Sequence, residues 1–227
     1  MKQDKLLWTE RPRLLDRELE THAWMERERP WERFNLELVY DNAPGGWPRY
    51  AEVFAALWER CAREGTGFLV VESDVVPTIA GIESMLRCPE RACVVPYRPR
   101  DDTPWETWAR DAPSPGGWRP VVETDEWAVE ASLGLCRFSP AACALPLPAA
   151  VRSGKPNVTI HVEVWRAMEG RAHLHWPGVR SNHDGWDEGD DSHFPEGRFA
   201  TPQMVEALRE RARATGGRVL GLSSEAS

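Results

Sequence analysis

The chain has 227 residues, enough for one large domain or two small ones around a substantial core. Hydrophobic residues make up 41% and charged residues 28%, which excludes a disordered chain, and no apolar run approaches the ~20 residues that span a bilayer. The formal net charge of -8 argues against a broadly basic nucleic-acid-binding surface, and a charged amino terminus without an apolar stretch points to the cytoplasm.

Residues 5–9 read as a first strand that runs into the polar stretch Glu10-Arg11-Pro12. Leu14, Leu15, Leu19, Ala23 and Met25 then recur at helical spacing, and Pro30 stops that helix. Residues 34–40 are rich in Leu and Val and read as a strand, closed by the turn signal Asp41-Asn42-Ala43-Pro44-Gly45-Gly46. Tyr50, Val53, Phe54, Leu57, Trp58 and Cys61 share one helical face, with Gly65 at the C-cap position. Residues 68–71 form a continuous apolar strand leading straight into Glu72-Ser73-Asp74. Strand, helix, strand, helix, strand predicts an α/β fold with a mostly parallel central sheet flanked by helices. In such sheets ligands bind beyond the carboxyl ends of the strands, where Thr9 to Arg11, Asp41-Asn42 and Glu72 to Asp74 would all fall.

A helix over 79–86 and a buried strand over 92–97 follow. Residues 98–120 combine prolines, glycines and tryptophans without clear periodicity, which predicts a functional lid or acceptor loop. Arg98, Arg100, Arg110 and Arg119 fall in or beside it and could meet phosphates. Residues 130–138 read as a strand, 141–148 as Ala/Pro packing or a turn, 158–168 as a helix and 172–176 as a short strand. Residues 185–197 are an acidic, Gly-rich loop, and Thr201-Pro202 opens a terminal helix to about residue 214. One domain over 1–227 is expected, with a nucleotide-binding half (1–97), an acceptor and metal-closing half (98–200) and a terminal helix and tail (201–227).

The five cysteines are odd in number and include no CxxC, so reduced thiols are expected rather than disulfides or a zinc ribbon. Most of the twelve tryptophans read as core or loop packing, with a minority free to stack on a sugar or base.

Glu72-Ser73-Asp74 is the sharpest chemical feature. Two carboxylates two residues apart point the same way in extended geometry, and such oxygens suit a hard divalent cation carrying a diphosphate. A second cluster holds His173, His175, His183 and His193 with Asp184, Asp187, Asp190 and Asp191. His173 and His175 alternate in a strand and face one side. The absence of HExxH or paired cysteines argues against a closed zinc site there. His161 and Glu163 could supply a positioned base, and Glu123, Asp125, Glu126 and Glu130 are further acids. No GxGxxG or Walker A motif occurs, which weighs against a Rossmann dehydrogenase and a P-loop NTPase.

Taken together these stretches resemble the GT-A glycosyltransferase superfamily. Residues 5–12 look like its first strand and nucleotide-contacting loop, and 34–42 like its second strand with a terminal acid. GFLVVESDVVP at 67–77 is similar to the strand carrying the DxD motif, here as ExD, and 163–183 looks like the closing segment, with Glu163, Gly170 and His183 in its acid, glycine and metal-ligand places. The resemblance implies a compact, single-domain GT-A-like, Rossmann-like fold and a metal-dependent glycosyltransferase. Mn²⁺ or Mg²⁺ would be held by Asp74, Glu72 and His183. Thr9, Arg11, Asp41, Glu72 and Ser73 would bind a nucleotide-diphosphate sugar, a UDP-sugar first among them. Glu163 or His161 would act on the acceptor, which could be a glycan, a small molecule or modified DNA; no membrane partner is implied.

Three other classes compete. A metal-dependent phosphoesterase or other hydrolase would use the His/Asp cluster over 173–193. A nucleotidyltransferase would prefer a nucleoside triphosphate. A non-catalytic module would bind carbohydrate through tryptophans.

Overall fold

The computed structural model describes residues 3–10, 16–42, 46–73, 75–96, 107–110, 117–152, 160–176 and 180–181. Strand β1 (Lys5–Thr9) is followed by helices α1 (Asp16–Glu28) and α2 (Pro30–Arg33), and β2 (Glu37–Asp41) by α3 (Gly46–Glu64). Next come β3 (Phe68–Val71), β4 (Val75–Val76), α4 (Ile79–Arg87) and β5 (Ala92–Val94). Short strands β6 (Thr107–Arg110), β7 (Trp118–Pro120), β8 (Trp127–Ala128) and β9 (Glu130–Ala131) precede β10 (Leu135–Phe138). The remaining described elements are α5 (Pro140–Cys143), α6 (Ala149–Arg152), α7 (Ile160–Ala167), β11 (Ala172–Leu174) and β12 (Arg180–Ser181).

The central sheet has seven strands in the order β2-β1-β3-β10-β5-β11-β8. β1 lies parallel to both β2 and β3; β10 is antiparallel to β3 and β5; β11 is parallel to β5, and β8 closes the edge antiparallel to β11. Thus β2, β1, β3, β5 and β11 point one way, as the strand-helix alternation of the first third predicts. The architecture is thus the α/β fold expected, a mostly parallel central sheet with helices packed against it. The sheet draws on both the 1–97 and the 98–200 stretches. β12 pairs with β4, and β7, β6 and β9 form a small antiparallel sheet.

The pleat divides the apolar residues between two cores. Leu7, Val39, Val70, Val94 and Cys136 face one side, under Phe54, Leu57 and Trp58 of α3 and Val164 and Trp165 of α7. Leu6, Trp8, Leu38, Tyr40, Leu69 and Val71 face the other, under Trp24 and Met25 of α1, Trp31 of α2 and Ile82 and Met85 of α4. Five tryptophans (Trp8, Trp24, Trp31, Trp58 and Trp165) are buried in these cores, which accords with their reading as packing residues.

Local chemistry sets the boundaries. Pro30 ends α1 as expected, then serves as the first residue of α2 after Arg29 turns left-handed at φ 45°. Asn35 is also left-handed, at φ 53°, so β2 begins at Glu37 rather than at Phe34. The Thr78 hydroxyl accepts from the Gly81 amide at 3.0 Å and caps α4. Gly67 has no room for a side chain: a Cβ there would stand 2.5 Å from the Phe138 carbonyl oxygen. The strand expected over 130–138 is two strands, β9 in the small sheet and β10 in the central one. The 141–148 stretch, expected as packing or a turn, overlaps the short helix α5 and ends just before α6. Within 98–120, β6 and β7 form a hairpin. The terminal helix expected from Thr201 lies outside the described residues.

At the amino edge of the sheet the fully buried Lys5 ammonium donates to the Thr66 hydroxyl at 3.0 Å and pairs with Glu64 at 2.7 Å. Arg60 grips both Glu37 carboxylate oxygens, at 2.7 and 2.8 Å, and pairs with Glu64 at 2.9 Å. No described helix is long and apolar enough to cross a membrane.

Candidate functional site at the carboxyl edge

Strand register builds the site. Leu7, Val39 and Val70 stand side by side across β2-β1-β3 on one core face. Two residues further on, the same pleat brings Thr9 opposite Asp41, and Glu72, the first residue past β3, continues the row. Three predicted positions, Thr9, Asp41 and Glu72, thus come together at the carboxyl ends of adjacent parallel strands. Ser73 is buried next to them on the alternate side of the chain. The Glu72 backbone is fixed, its amide donating to the Gly134 carbonyl at 2.9 Å. Its charge is felt on the α3 face: burial pushes the Cys136 thiol well up, and Glu72 adds to the effect.

Asp41 is buried and does not stand alone. Arg49, from the first turn of α3, donates from Nη2 to Asp41 Oδ1 at 3.1 Å. The pairing follows from topology, because α3 starts directly after the turn that closes β2. It orients the carboxylate at the strand end and balances its charge there.

Glu10 anchors the base of the first loop. Its carboxylate is buried, accepting from the Tyr40 hydroxyl at 2.7 Å through Oε2, while Oε1 lies 2.9 Å from His22 Nδ1. Burial alone would draw the His22 pKa down, but the hydrogen bond and charge of Glu10, with Glu26 adding, outweigh it and the pKa is raised. Trp8 packs on Tyr40, His22 and Trp31 with ring centroids 4.9, 5.6 and 5.8 Å away, sealing this carboxylate from water. Sequence reasoning placed Glu10 in the Thr9 to Arg11 cluster but missed His22, Tyr40 and Arg49. The register of β1 with β2 sets Tyr40 beside Trp8, a pairing that only the folded sheet shows.

The two α7 residues occupy a separate neighbourhood on that helix, which packs on β9 and α6. Glu163 is paired with Arg166 at 2.5 Å. His161 Nε2 stands 3.7 Å from Glu130 Oε1 on β9. Burial lowers the His161 pKa; burial raises that of Glu130, with Arg166 opposing. Both shifts come chiefly from burial, which disfavours the charged form of each group. Of the other acids, Asp125 is gripped by both terminal nitrogens of Arg119, at 2.6 and 2.7 Å, and this contact, against burial, holds its carboxyl low. Arg119 is therefore engaged within the chain.

His173 and His175 face one side of β11, as expected, but their company was not foreseen. Cys88, at the end of α4, and Cys93, on β5, converge with them, and the four ligand atoms all lie within 4.8 Å of one another. The sequence shows no paired cysteines, yet two that lie apart from the histidines along the chain are brought beside them, Cys93 by the parallel pairing of β11 with β5. Burial, then the neighbouring His173 and Arg137, pulls the His175 pKa down to about 4.

Arg11, Asp74 and His183 lie outside the described residues, as do His193, Asp184, Asp187, Asp190, Asp191, Arg98 and Arg100.

No family model matches the chain, and no curated protein matches it. Among solved structures it is similar to A197 from STIV, at 10% identity and a TM-score of 0.51, over 79% of this chain and 84% of that one. It also matches a glycosyltransferase involved in the glycosylation of the major capsid of PBCV-1, at 15% identity and a TM-score of 0.43, over 78% of this chain and 83% of that one. At such identities the likeness to A197 is one of fold, extending over most of both chains.

Proposed function

We propose that the protein is a glycosyltransferase that moves a sugar from a nucleotide-diphosphate sugar to an acceptor hydroxyl. The observation carrying this reading is the in-register row of Thr9, Asp41 and Glu72 at the carboxyl ends of three parallel strands. That edge is where open α/β sheets bind ligands, and β3 leads directly to Glu72 there.

The oxygen donors present fit a hard divalent cation. Glu72, with Asp74 and His183 from the sequence pattern, would hold Mn²⁺ or Mg²⁺. Such an ion would supply positive charge to offset the charge that grows on the departing nucleotide diphosphate. Asp41, aligned by Arg49, would accept hydrogen bonds from the nucleoside, with Thr9 and Arg11 contributing from β1 and its loop; a UDP-sugar is the first donor to test. Of the two α7 candidates, His161 is better suited than Glu163 to take the acceptor proton. Burial lowers its pKa, and the Glu130 carboxyl stands 3.7 Å from its Nε2, where it would orient the ring. Glu163 is occupied by Arg166. The acceptor could be a glycan, a small molecule or modified DNA.

The test is a thermal-shift panel of nucleotides and nucleotide sugars, with and without Mn²⁺, on wild type, Glu72→Ala and Asp74→Ala. Ligand binding to the native state raises the midpoint by mass action. The expected result is a Mn²⁺-dependent rise with UDP or a nucleotide sugar that both variants lose. A response to Mn²⁺ alone, with none to any nucleotide, overturns the reading.

A further inference from the structure

We propose that Cys88, Cys93, His173 and His175 form a closed structural Zn²⁺ site that staples β11 to α4 and β5. This inference is independent of the glycosyltransferase reading. The donor set is two sulfurs and two imidazole nitrogens, the soft and borderline chemistry that selects zinc over Mn²⁺ or Mg²⁺.

The distances fit. Tetrahedral zinc with Zn–S of about 2.3 Å and Zn–N of about 2.0–2.1 Å sets its ligand atoms about 3.3–3.8 Å apart. His173 Nδ1 stands 3.3 Å from Cys88 Sγ and 3.1 Å from His175 Nε2, and all four donor atoms fall within 4.8 Å of one another. Hydrogen bonding alone serves this arrangement poorly. His173 Nδ1 has one in-plane site, either a lone pair or a proton, yet it faces two partners at once. A shared cation satisfies all four atoms together.

The surroundings have the form of an outer shell. His175 turns its other nitrogen, Nδ1, to the Ser84 hydroxyl on α4 at 3.0 Å. His173 turns Nε2 toward the Glu126 carboxylate at 3.9 Å, and Trp127 packs on its ring at 5.1 Å. Imidazole ligands characteristically give their second nitrogen to a carboxylate or another oxygen, which fixes ring orientation. Arg137 donates to the Cys88 carbonyl at 3.0 Å and holds the end of α4 in place. Four protein ligands leave no open position for water or substrate, so the site is structural rather than catalytic. The place matters as well. The β5–β11 ladder is two residue pairs long, His173 with Cys93 and Leu174 with Val94, so a cross-link there fixes a junction that few backbone bonds secure.

The test uses the full chain. Metal content is measured by mass spectrometry on protein purified without chelator, and stripped protein is titrated with Co²⁺ and followed by absorbance. About one zinc per chain is expected, lost in Cys93→Ala and His173→Ala and kept in Cys143→Ala, a buried thiol on the opposite face of the sheet. Co²⁺ should give the visible bands of a tetrahedral ion and a thiolate-to-cobalt charge-transfer band, with no competition from Mn²⁺ or Mg²⁺. Because a ligand variant can fail to fold, wild type provides the second measurement: chelation should lower its thermal midpoint and added Zn²⁺ should restore it. Substoichiometric zinc with no charge-transfer band overturns the proposal. So does a wild-type midpoint that chelation leaves unchanged, or a Cys93→Ala protein that retains its metal.

Discussion

Replacing Tyr40 by Phe isolates the buried carboxylate at the base of the first loop. Tyr40 is fully buried, and its hydroxyl makes the 2.7 Å bond to Glu10 Oε2. The Phe ring keeps the packing against Trp8, and the change removes the donor to Glu10. A hydrogen bond to a charged, buried group is worth about 1.5–3 kcal/mol. For a chain of this size each kcal/mol moves the midpoint by about 2–4 °C, so the expected loss is about 3–12 °C. Calorimetry and urea titration of wild type and Tyr40→Phe measure it. The pH dependence carries a second signature. The His22 pKa is raised in the folded state, so its contribution is complete below the unfolded value of about 6.5 and disappears as pH climbs through the raised value. Tyr40→Phe leaves that slope in place, whereas His22→Gln removes it. A Tyr40→Phe protein within about 0.5 kcal/mol of wild type would refute the reasoning, because the carboxylate would then have to be solvated.

Gly67→Ala should destabilise by about 1–3 kcal/mol in urea unfolding, because the new Cβ meets backbone at the Phe138 carbonyl oxygen and backbone cannot swing aside. Gly65→Ala, with φ +66° and open space around it, should lose about 1 kcal/mol through strain alone. Acid titration followed by circular dichroism should show the amino-edge network loosening as pH falls from about 4.5 toward 2. The hydrogen bond from Lys5, with Arg60 assisting against burial, holds the Glu64 pKa at about 2, so its contribution is present above the unfolded value and lost below it. Once a donor is identified, His161→Ala should lower kcat about 10²–10⁴-fold, and Glu163→Ala should lower it far less.

The elements legible in the sequence were those whose patterns are set by neighbours along the chain. β1 and β3 are short apolar runs, and α3 shows helical spacing with a glycine at its C-cap position. What stayed hidden depends on pairing across the sheet. The 130–138 run gives no sign that Glu130–Ala131 joins β6 while Leu135–Phe138 inserts between β3 and β5. The β6–β7 hairpin is masked by its composition, since Pro120 sits on β7 at the edge of its sheet, where no ladder donor is required. The candidate site divides the same way. Thr9, Asp41 and Glu72 were findable because each ends a strand. Arg49, Tyr40 and His22 were not, because their partners are fixed by packing.

Pleat parity separates the two sites and gives each its own chemistry. Thr9 and Asp41 follow Leu7 and Val39 on the α3 face, whereas Cys93 and Val95 point to the α4 face, as do Leu135 and the Cys88 end of α4. His173 alternates with Ala172 and Leu174, which belong to the α3 face, and so joins Cys93 on the other. A hard oxygen-donor set and a soft sulfur-nitrogen set thus share one sheet without sharing a face. A one-residue slip between β5 and β11 would turn His173 and His175 away from both thiols and carry Leu174 out of its core. A cation held by all four would therefore stabilise only the correct register. The same register continues into Trp176, whose indole nitrogen donates to the Asp125 carbonyl at 2.9 Å, so a metal at this junction would also fix the direction in which the chain leaves the sheet.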